Sequence, residues 1–217
     1  MDSISLLIFQ LAALLGSVII HEVSHGLMAL RLGDDTAKLA GRLTFNPIKH
    51  LDPVGSFIFP LLLIVIKSPV LLGWAKPVPY NPALLHKDYK YGPLKVALAG
   101  PASNLLVAGI VALIIRLSVS FLNPVTVAFL GFIVFINVLL AIFNLVPIPP
   151  LDGSKIIATF LPREAAMTFE RIGLFGIFLI LFLLYFFLDL IYSLSFLVFD
   201  VLVGPAGTVA LLQLLGG

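Results

Sequence analysis

The chain has 217 residues, 60% of them hydrophobic, and its mean hydropathy of +1.15 exceeds what a soluble domain of this length needs for its core. Its 13 basic and 11 acidic residues give a formal net charge of +2 without a basic patch among aromatics, which argues against nucleic acid as a partner. Because there is no cysteine, disulfides and thiolate ligands are excluded, and any transition-metal site must use imidazole and carboxylate.

Four apolar runs are long enough to cross a bilayer, which takes about 20 residues in a helix. They cover residues 5–30, 94–117, 127–147 and 173–199. The first run is preceded by an acidic residue, has no basic one before it and continues into His21, so it predicts a membrane helix rather than a secretory signal. The fold class that follows is an all-α polytopic membrane protein, with a single membrane-embedded domain over residues 1–217.

Three further segments lack the pattern of a full crossing. Residues 54–66 and 69–74 are apolar but short and interrupted by prolines, which predicts a re-entrant segment. Residues 41–53 mix strand formers with Asn-Pro and Asp-Pro pairs, which predicts a short membrane-associated β-hairpin and turn. The apolar C-terminal tail 201–215 has glycines and a proline at its start. The sequence leaves open whether this tail crosses the membrane as a further span, lies in the interface or packs on the bundle.

The segment His21-Glu-Val-Ser-His25 carries the clearest chemical signal. Two histidines at i and i+4 lie on one face of a helix, about 5–6 Å apart, and can share one metal ion. Glu22 beside them can act as a base toward a water on that ion, whose pKa zinc lowers to roughly 7. A chance pattern is the alternative, but ionisable groups near the end of an apolar helix are costly unless they coordinate an ion or line a wet cavity.

A catalytic zinc site usually has three protein ligands, and Asp152 is the best-placed acid for the third. It follows the prolines of residues 143–151, which end an apolar helix and direct the chain back toward the bundle. Asp189 and Asp200 also lie on apolar stretches but lack such a turn. Read alone, Asp152 is equally compatible with capping the helix that begins at Gly153.

Two asparagines within or beside the apolar runs are further candidates. Asn104, in Gly100-Pro-Ala-Ser-Asn104, could donate a hydrogen bond to a developing oxyanion, or it could join two helices. Asn144, one span later, has the same two alternatives. The remaining histidines, His50 and His86, lie in polar segments and are predicted to be solvated, with a place on the substrate path as the alternative for His50.

Bringing His21, Asn104 and Asp152 to one depth fixes the topology. The ends of three spans must then share one membrane side, so the chain from 31 to 93 leaves and returns on that side. The proline-rich segment 73–82 must be extended, and ten extended residues reach about 33 Å, enough for the return. Its Trp74 and Tyr80 are predicted to anchor at the membrane interface.

Basic residues are concentrated on this predicted side of the membrane. The cytoplasmic side normally has the excess of Lys and Arg. The residues on the predicted side are Arg31, Lys38, Arg42, Lys49, Lys87, Lys90, Lys95, Lys155, Arg163 and Arg171, which is ten of the 13. The count predicts a multi-pass cell-membrane protein whose active site faces the cytoplasmic side and whose N-terminus is outside.

Taken together, the motifs resemble the site-2 protease family of intramembrane metalloproteases, in its compact form without a PDZ domain. The matching segments are His21-Glu-Val-Ser-His25, Gly100-Pro-Ala-Ser-Asn104 and Asn144-Leu-Val-Pro-Ile-Pro-Pro-Leu-Asp-Gly153, with support from residues 41–47, 50–55 and 73–79. The resemblance covers about residues 10–160, the expected catalytic core, and leaves residues 173–217 as C-terminal helices.

This resemblance implies a zinc metalloprotease in which His21, His25 and Asp152 hold one Zn²⁺ ion and Glu22 is the catalytic acid/base. It also implies that Asn104 and Asn144 assist near the scissile bond. The implied substrate-binding residues, where an unwound substrate would pair as a strand, are Gly41, Arg42, Leu43, Thr44, Phe45 and Asn46. The implied substrates are transmembrane proteins such as anti-sigma factors or signal-peptide remnants.

Three alternative functions are compatible with part of this pattern. A zinc carrier would also place His and Asp within spans, but it needs ligands at several depths. A catalytically silent homologue that holds membrane clients would not need Glu22. A zincin that processes prenylated proteins would use a glutamate as third ligand, and the only glutamates after the motif are Glu164 and Glu170, both in a predicted loop.

Overall fold

The computed structural model describes residues 3–65, 75–170 and 173–216. Within these ranges the chain forms eight α-helices, with 3₁₀-helical and π-helical turns in the longer segments between them. They are α1 Ser3–Leu32, α2 Thr36–Leu39, α3 Phe59–Val65, α4 Gly92–Ser118, α5 Pro124–Asn144, α6 Asp152–Ala158, α7 Arg163–Glu170 and α8 Gly173–Gly216. Helix α7 contains both late glutamates, so the loop predicted around Glu164 and Glu170 is wrong.

Four of the helices contain a stretch long and apolar enough to cross a membrane, and each stretch overlaps one of the four predicted runs. These stretches are Ile4–Leu32, Gly92–Ser118, Pro124–Asn144 and Phe186–Leu214. Helix α5 begins three residues before the predicted start, because Asn123 caps it by accepting from the backbone N–H of Thr126 at 2.8 Å and Pro124 occupies its first turn. The long helices therefore position the polar side chains that lie within and beside them.

Helices α4, α5 and α8 share the main hydrophobic core. On α4, Ala108 and Ala112 are almost fully buried, and such small side chains let neighbouring membrane helices approach closely. On α5, Val134 and Val138 have no exposed surface, and Phe199 of α8 packs in the same cluster. This core lies toward α8, and it leaves the opposite flank of α4 to pack against α1, where the polar groups lie.

Helix α8 is broken at Gly204, whose φ of 76° lies in the left-handed region, directly before Pro205. A methyl group on Gly131 of α5 would lie 3.7 Å from both Phe199 and Leu211. In a straight helix, the twelve positions between Phe199 and Leu211 would correspond to about 18 Å along the axis. The chain must therefore turn back at Gly204, and the tail packs on the bundle, which is the third of the alternatives that the sequence left open.

The predicted β-hairpin is not present, because residues 41–53, all of them described, contain no strand. Residues Pro47–His50 form a 3₁₀-helix that Asn46 caps through the backbone N–H of Ile48. Asp52 caps the π-helical turn Pro53–Ile58 in the same way. Asn-Pro and Asp-Pro pairs supply a side-chain cap followed by a fixed φ, and this start signal overrides the strand propensity of the preceding residues.

The predicted re-entrant segment is described only in part. It leaves the bundle through Pro53–Ile58 and α3, and its two flanks lie together, since the backbone N–H of Lys76 donates to the carbonyl of His50 at 2.8 Å. Residues 66–74, over which the chain would return, lie outside the described residues, and so does the predicted interfacial anchor Trp74. The re-entrant path therefore stays a prediction.

His50 is fully buried, so the prediction that it is solvated is wrong. Its Nε2 lies 2.8 Å from the carbonyl oxygen of Thr44, and its own carbonyl accepts from Lys76. The imidazole thus holds the loop after α2, and the backbone carbonyl of His50 joins this loop to the extended segment that begins at residue 75. His86 is exposed, as predicted, and its ring covers Gly33.

Candidate metal centre

Three buried ligand atoms converge where α1, α4 and α6 meet. The Nε2 atoms of His21 and His25 lie 3.1 and 3.0 Å from the same atom, Oδ2 of Asp152. Ligand atoms of these three residues all lie within 4.8 Å of one another, and each residue is at most 7% exposed. The i, i+4 spacing on α1 supplies the two imidazoles, and the turn that begins α6 brings in the carboxylate from a distant part of the chain.

The second nitrogen of each imidazole is held by the protein. His21 Nδ1 lies 2.6 Å from Oδ1 of Asn104, and His25 Nδ1 lies 2.7 Å from the backbone carbonyl of Val96. Both partners are acceptors, so each Nδ1 carries the hydrogen and each Nε2 presents its lone pair to the centre. Helix α4 thus fixes the tautomer and the ring orientation of both residues, as outer partners of metal-bound histidines generally do.

The orientation of the Asn104 amide follows from a buried polar network. Its Nδ2 donates to Oδ1 of Asn137 at 2.8 Å and to the carbonyl of Ser17 at 3.2 Å. Asn137 Nδ2 in turn donates to Oγ of Ser17 at 2.9 Å and to the carbonyl of Ile133 at 2.8 Å. Since both hydrogens of the Asn104 amide are used, its oxygen must face His21, and no donor remains for an oxyanion.

Two glycines make the close approach of the elements possible. A methyl group on Gly100 would lie 2.4 Å from His25 Nε2 and 2.6 Å from His21 Nε2. A methyl group on Gly153 would lie 2.3 Å from the carbonyl oxygen of Leu145. Any side chain at Gly100 would therefore occupy the space between the two imidazoles, and one at Gly153 would push Asp152 away from them.

The donor set fits a divalent metal ion. With hydrogens on both Nδ1 atoms, two imidazole lone pairs and a carboxylate oxygen face one another, an arrangement of three acceptors that needs a cation between them. Tetrahedral zinc bonds of 2.0–2.2 Å separate neighbouring ligands by roughly 3.3–3.5 Å. The separations of 3.0 and 3.1 Å are a few tenths of an ångström shorter, so small side-chain movements suffice.

The carboxylate of Asp152 is also held from its other side. Lys155, one turn later in α6, donates from Nζ to Oδ1 at 3.2 Å, which leaves Oδ2 for the metal. The ammonium group of Lys155 favours the ionised form of this carboxylate, so Asp152 is available as a metal ligand rather than only as a helix cap.

Glu22 is held by the extended segment 75–80. Its Oε2 accepts the backbone N–H of Val78 at 2.9 Å. Pro77 and Pro79 flank Val78 and have no N–H, so Val78 supplies the one backbone donor at this point of the segment. The same segment carries Tyr80, whose ring centroid lies 5.7 Å from Nζ of Lys155. The extended segment 75–80 thus contacts the predicted base, Glu22, and also Lys155, which holds the predicted third ligand, Asp152.

The other predicted site residues occupy different places. Asn144, half-buried at the end of α5, donates to the carbonyl of Leu140 in its own helix at 2.9 Å. Leu43 reaches α1 beside His25, since its Cδ2 would lie 2.5 Å from a methyl group on Gly26. Arg42 is buried, and its guanidinium donates to the carbonyl of Lys76 at 2.6 Å. Within the range 41–46, Phe45 is 69% exposed.

Reasoning from the sequence missed Asn137, Ser17 and Lys155. An asparagine in the middle of an apolar span is costly without partners, and this signal could have identified Asn137. Ser17 lies one turn before His21 on α1, and Lys155 lies one turn after Asp152. Neither residue type is rare at such positions, and only the packing of the helices reveals what they contact.

Comparisons with known proteins agree with this arrangement. The profile of Peptidase family M50 matches residues 119–184. The chain is 38% identical over 188 residues to "Putative zinc metalloprotease YwhC" of Bacillus subtilis (strain 168), which covers 82% of both proteins. It is 33% identical to Rip2 of Mycolicibacterium smegmatis and 30% identical to Rip2 of Mycobacterium tuberculosis (strain H37Rv). Those alignments cover 69% and 67% of this chain but 56% and 54% of the relatives. No solved structure gives a significant match.

Proposed function

The chain belongs to peptidase family M50, the site-2 protease family, and on that premise we propose that it hydrolyses peptide bonds within or near the transmembrane segments of other membrane proteins. It is a membrane zinc metalloprotease with a single metal site. The observation that carries the proposal is the convergence of His21 Nε2, His25 Nε2 and Asp152 Oδ2 among helices that can cross a membrane, with Glu22 beside them.

His21, His25 and Asp152 would hold the ion, with Nε2 of each imidazole and Oδ2 of the carboxylate as ligand atoms. When bound, zinc acts as a Lewis acid that lowers the pKa of a coordinated water to about 7 and polarises the scissile carbonyl. Asn104 and the Val96 carbonyl keep both imidazoles in the tautomer that this ligation requires. Lys155 keeps Oδ1 of Asp152 occupied, which favours ligation through one oxygen.

Glu22 is the acid/base of the proposed reaction. Its Oε2 accepts the Val78 N–H at 2.9 Å, which leaves Oε1 to take a proton from the attacking water and to deliver it to the departing amine nitrogen. The hydrogen bond from Val78 restricts rotation of the carboxylate, so the proton acceptor is oriented before substrate arrives.

Substrate is proposed to approach along residues 41–46 and past Asn144. The contact of Leu43 with α1 beside His25 supports this direction, and exposed Phe45 offers an apolar surface to a membrane segment. A helical peptide bond is shielded by its own hydrogen bonding, so the substrate must unwind locally before Glu22 can act on it. Asn144 would contact the unwound segment, whereas Asn104 acts through His21.

The proposed substrates are membrane proteins, with anti-sigma factors and signal-peptide remnants as the classes that the family resemblance suggests. The excess of basic residues in the segments between the spans supports a site that faces the cytoplasmic side and an N-terminus outside. An active site that faces the cytoplasmic side would release its products toward the cytoplasm.

The test is cleavage of a panel of single-span peptides by the full chain in liposomes, with bound zinc measured in parallel. Wild type should cut within the span, and Glu22→Gln should retain zinc while losing cleavage. If wild type and Glu22→Gln both bind zinc and neither cuts any peptide, a zinc carrier or a client-holding protein becomes the better description.

A further inference from the structure

Asp189 is an acidic residue within the apolar part of α8. Residues 172–188 before it and 190–199 after it contain no charged side chain. A crossing takes about 20 residues, and every window of that length within residues 172–199 contains Asp189. Any 20-residue crossing within this stretch therefore includes the carboxyl group of Asp189.

This carboxyl has no partner in the part of the chain that the structure describes. Asp189 is exposed, and neither a hydrogen bond nor an ion pair involves its side chain. The other acid on this helix, Asp200, is partnered, since it accepts from Oγ1 of Thr208 at 2.6 Å. A charged group inside a bilayer is costly unless it is paired, so Asp189 needs a partner that the described residues do not supply.

Asp189 belongs to a continuous exposed stripe. Ser193 and Leu197 follow at i+4 and i+8 and Asp200 at i+11, which places all four on one face of α8, and all four are exposed. An open hollow of about 360 Å³ lies beside the part of the stripe that follows Asp189, lined by Tyr192, Ser193, Phe196, Leu197 and Asp200. The face that packs on the bundle is a different one, on which Ser195, Phe199 and Val203 are buried.

Charge complementarity selects the occupant of this stripe. Lipid chains have no hydrogen-bond donor, and a second copy of the chain would bring another acid against Asp189. Among the described residues of the spans, basic side chains lie only in terminal turns, at Arg31, Lys95 and Arg116. Arg116 is engaged as well, because it donates to the carbonyls of Val201 and Leu202. Within the described part of the spans, a second copy therefore offers no free cation away from the helix ends.

We propose that the stripe of Asp189, Ser193, Leu197 and Asp200 on α8 is a docking surface for a transmembrane helix of another protein that carries a lysine or arginine at the depth of Asp189. The small Ser193 and the hollow beside it admit the stem of such a side chain, whose cation pairs with the Asp189 carboxylate. The surface would recruit a regulatory subunit or a substrate to the flank of the proposed protease without using the metal centre.

The experiment measures energy transfer in liposomes between the full chain and synthetic leucine-rich single-span peptides. Because the natural chain has no cysteine, Phe121→Cys, at a residue that is 88% exposed between α4 and α5, provides one labelling site. One peptide carries an arginine at its centre, and the control peptide carries leucine there. We expect the arginine peptide to associate about five- to thirtyfold more strongly, the range of a hydrogen-bonded polar pair between membrane helices.

Asp189→Leu should abolish this preference, whereas Leu190→Ala, at an exposed neighbour outside the stripe, should retain it. Equal association of the two peptides, or a preference that persists in Asp189→Leu, overturns the proposal. Asp189-dependent self-association of the chain without peptide would instead identify a second copy as the occupant and also overturn it. Because the readout is association rather than cleavage, either result leaves the proposed protease activity to its own test.

Discussion

Asn104 and Asn137 pair through their side chains, with Nδ2 of Asn104 donating to Oδ1 of Asn137 at 2.8 Å, and both residues are completely buried. The pair lies directly behind His21, so the orientation of one metal ligand depends on an asparagine on a third helix. Partners of this kind in other metal sites change metal affinity by about 10–100-fold when they are removed.

Asn137→Leu should therefore lower zinc affinity by about 10–100-fold, because Asn104 loses an acceptor and can rotate away from His21. Zinc titration of the detergent-solubilised chain measures the effect. Asn144→Leu is the matched control, since the amide of Asn144 contacts only its own helix, and its zinc affinity should equal that of wild type. Equal zinc affinity in Asn137→Leu and wild type would show that the network does not hold the ligand.

Gly100→Ala should abolish zinc binding and cleavage together, because the added methyl group would lie 2.4 Å from His25 Nε2. Gly109→Ala on the same helix is the control, since a methyl group there meets nothing within 4 Å. The control should fold and bind zinc normally and gain about 0.5–1 kcal/mol of stability from the better helix former. Zinc content and thermal unfolding of both variants decide the matter.

Lys155→Met should weaken zinc binding and lower kcat, because Oδ1 of Asp152 loses its ammonium partner and the carboxylate can rotate. We expect a zinc affinity lower by about tenfold, the size of an outer-partner effect. Lys155→Arg keeps the charge and should recover most of the binding. If the methionine and arginine variants bind zinc equally well, the charge of Lys155 has no part in holding Asp152.

Val78→Pro removes the N–H that reaches Glu22 and leaves the backbone otherwise extended. We expect kcat to fall by about 5- to 100-fold, because a hydrogen bond to a charged group is worth about 1–3 kcal/mol, while zinc content stays at the wild-type level. Val78→Ala retains the N–H and should keep its kcat. A rise in activity for the proline variant would mean that the extended segment 75–80 restrains the enzyme instead of orienting Glu22.

Asp34, just after α1, contacts Asn81, which directly follows the extended segment 75–80. Its buried carboxylate accepts from the backbone N–H and hydroxyl of Thr36 and from the backbone N–H of Asn81. Burial would raise the pKa of Asp34, but these hydrogen bonds outweigh it and lower the pKa below its ordinary 3.8. Because the folded pKa is the lower one, this stabilisation is present above pH 3.8 and is lost as the pH falls through the folded value.

Asp34→Asn should therefore cost about 1–3 kcal/mol at neutral pH. The difference in thermal stability between wild type and variant should shrink as the pH is lowered from about 6 to about 3. Asp35→Asn, at a neighbouring acid that is exposed and makes no side-chain cap hydrogen bond, controls for general effects of acid on the protein. A difference that is constant across this range would assign the stability to packing rather than to the carboxylate.

The four long apolar helices and the pairing of His21 with His25 on one helix face could be predicted because both signals are local. A run of apolar residues has the length of a membrane, and the spacing of His21 and His25 follows directly from the helix repeat. The place of Asp152 is harder to predict from the sequence, since only the prolines before it indicate that the chain returns to the bundle.

What could not be predicted depends on contacts between distant residues. The tautomer of His25 is set by the carbonyl of Val96, a backbone group that no residue type reveals. Asn104 was given the alternatives of oxyanion donor and helix contact, and the use of both its amide hydrogens by Ser17 and Asn137 favours the second. The hairpin was wrong because side-chain caps at Asn46 and Asp52 outweigh strand propensity over so short a segment.

The reversal at Gly204 affects how the topology of this protein can be read by reporter fusions. A reporter joined after Val203 follows α8 as far as its break, beside Arg116. A reporter joined after residue 216 follows a helix that has turned back toward Gly131. The two fusions sample different environments although only 13 residues separate them. A truncation series that counted the tail after Gly204 as a further crossing would therefore assign the wrong orientation to the fusion after residue 216.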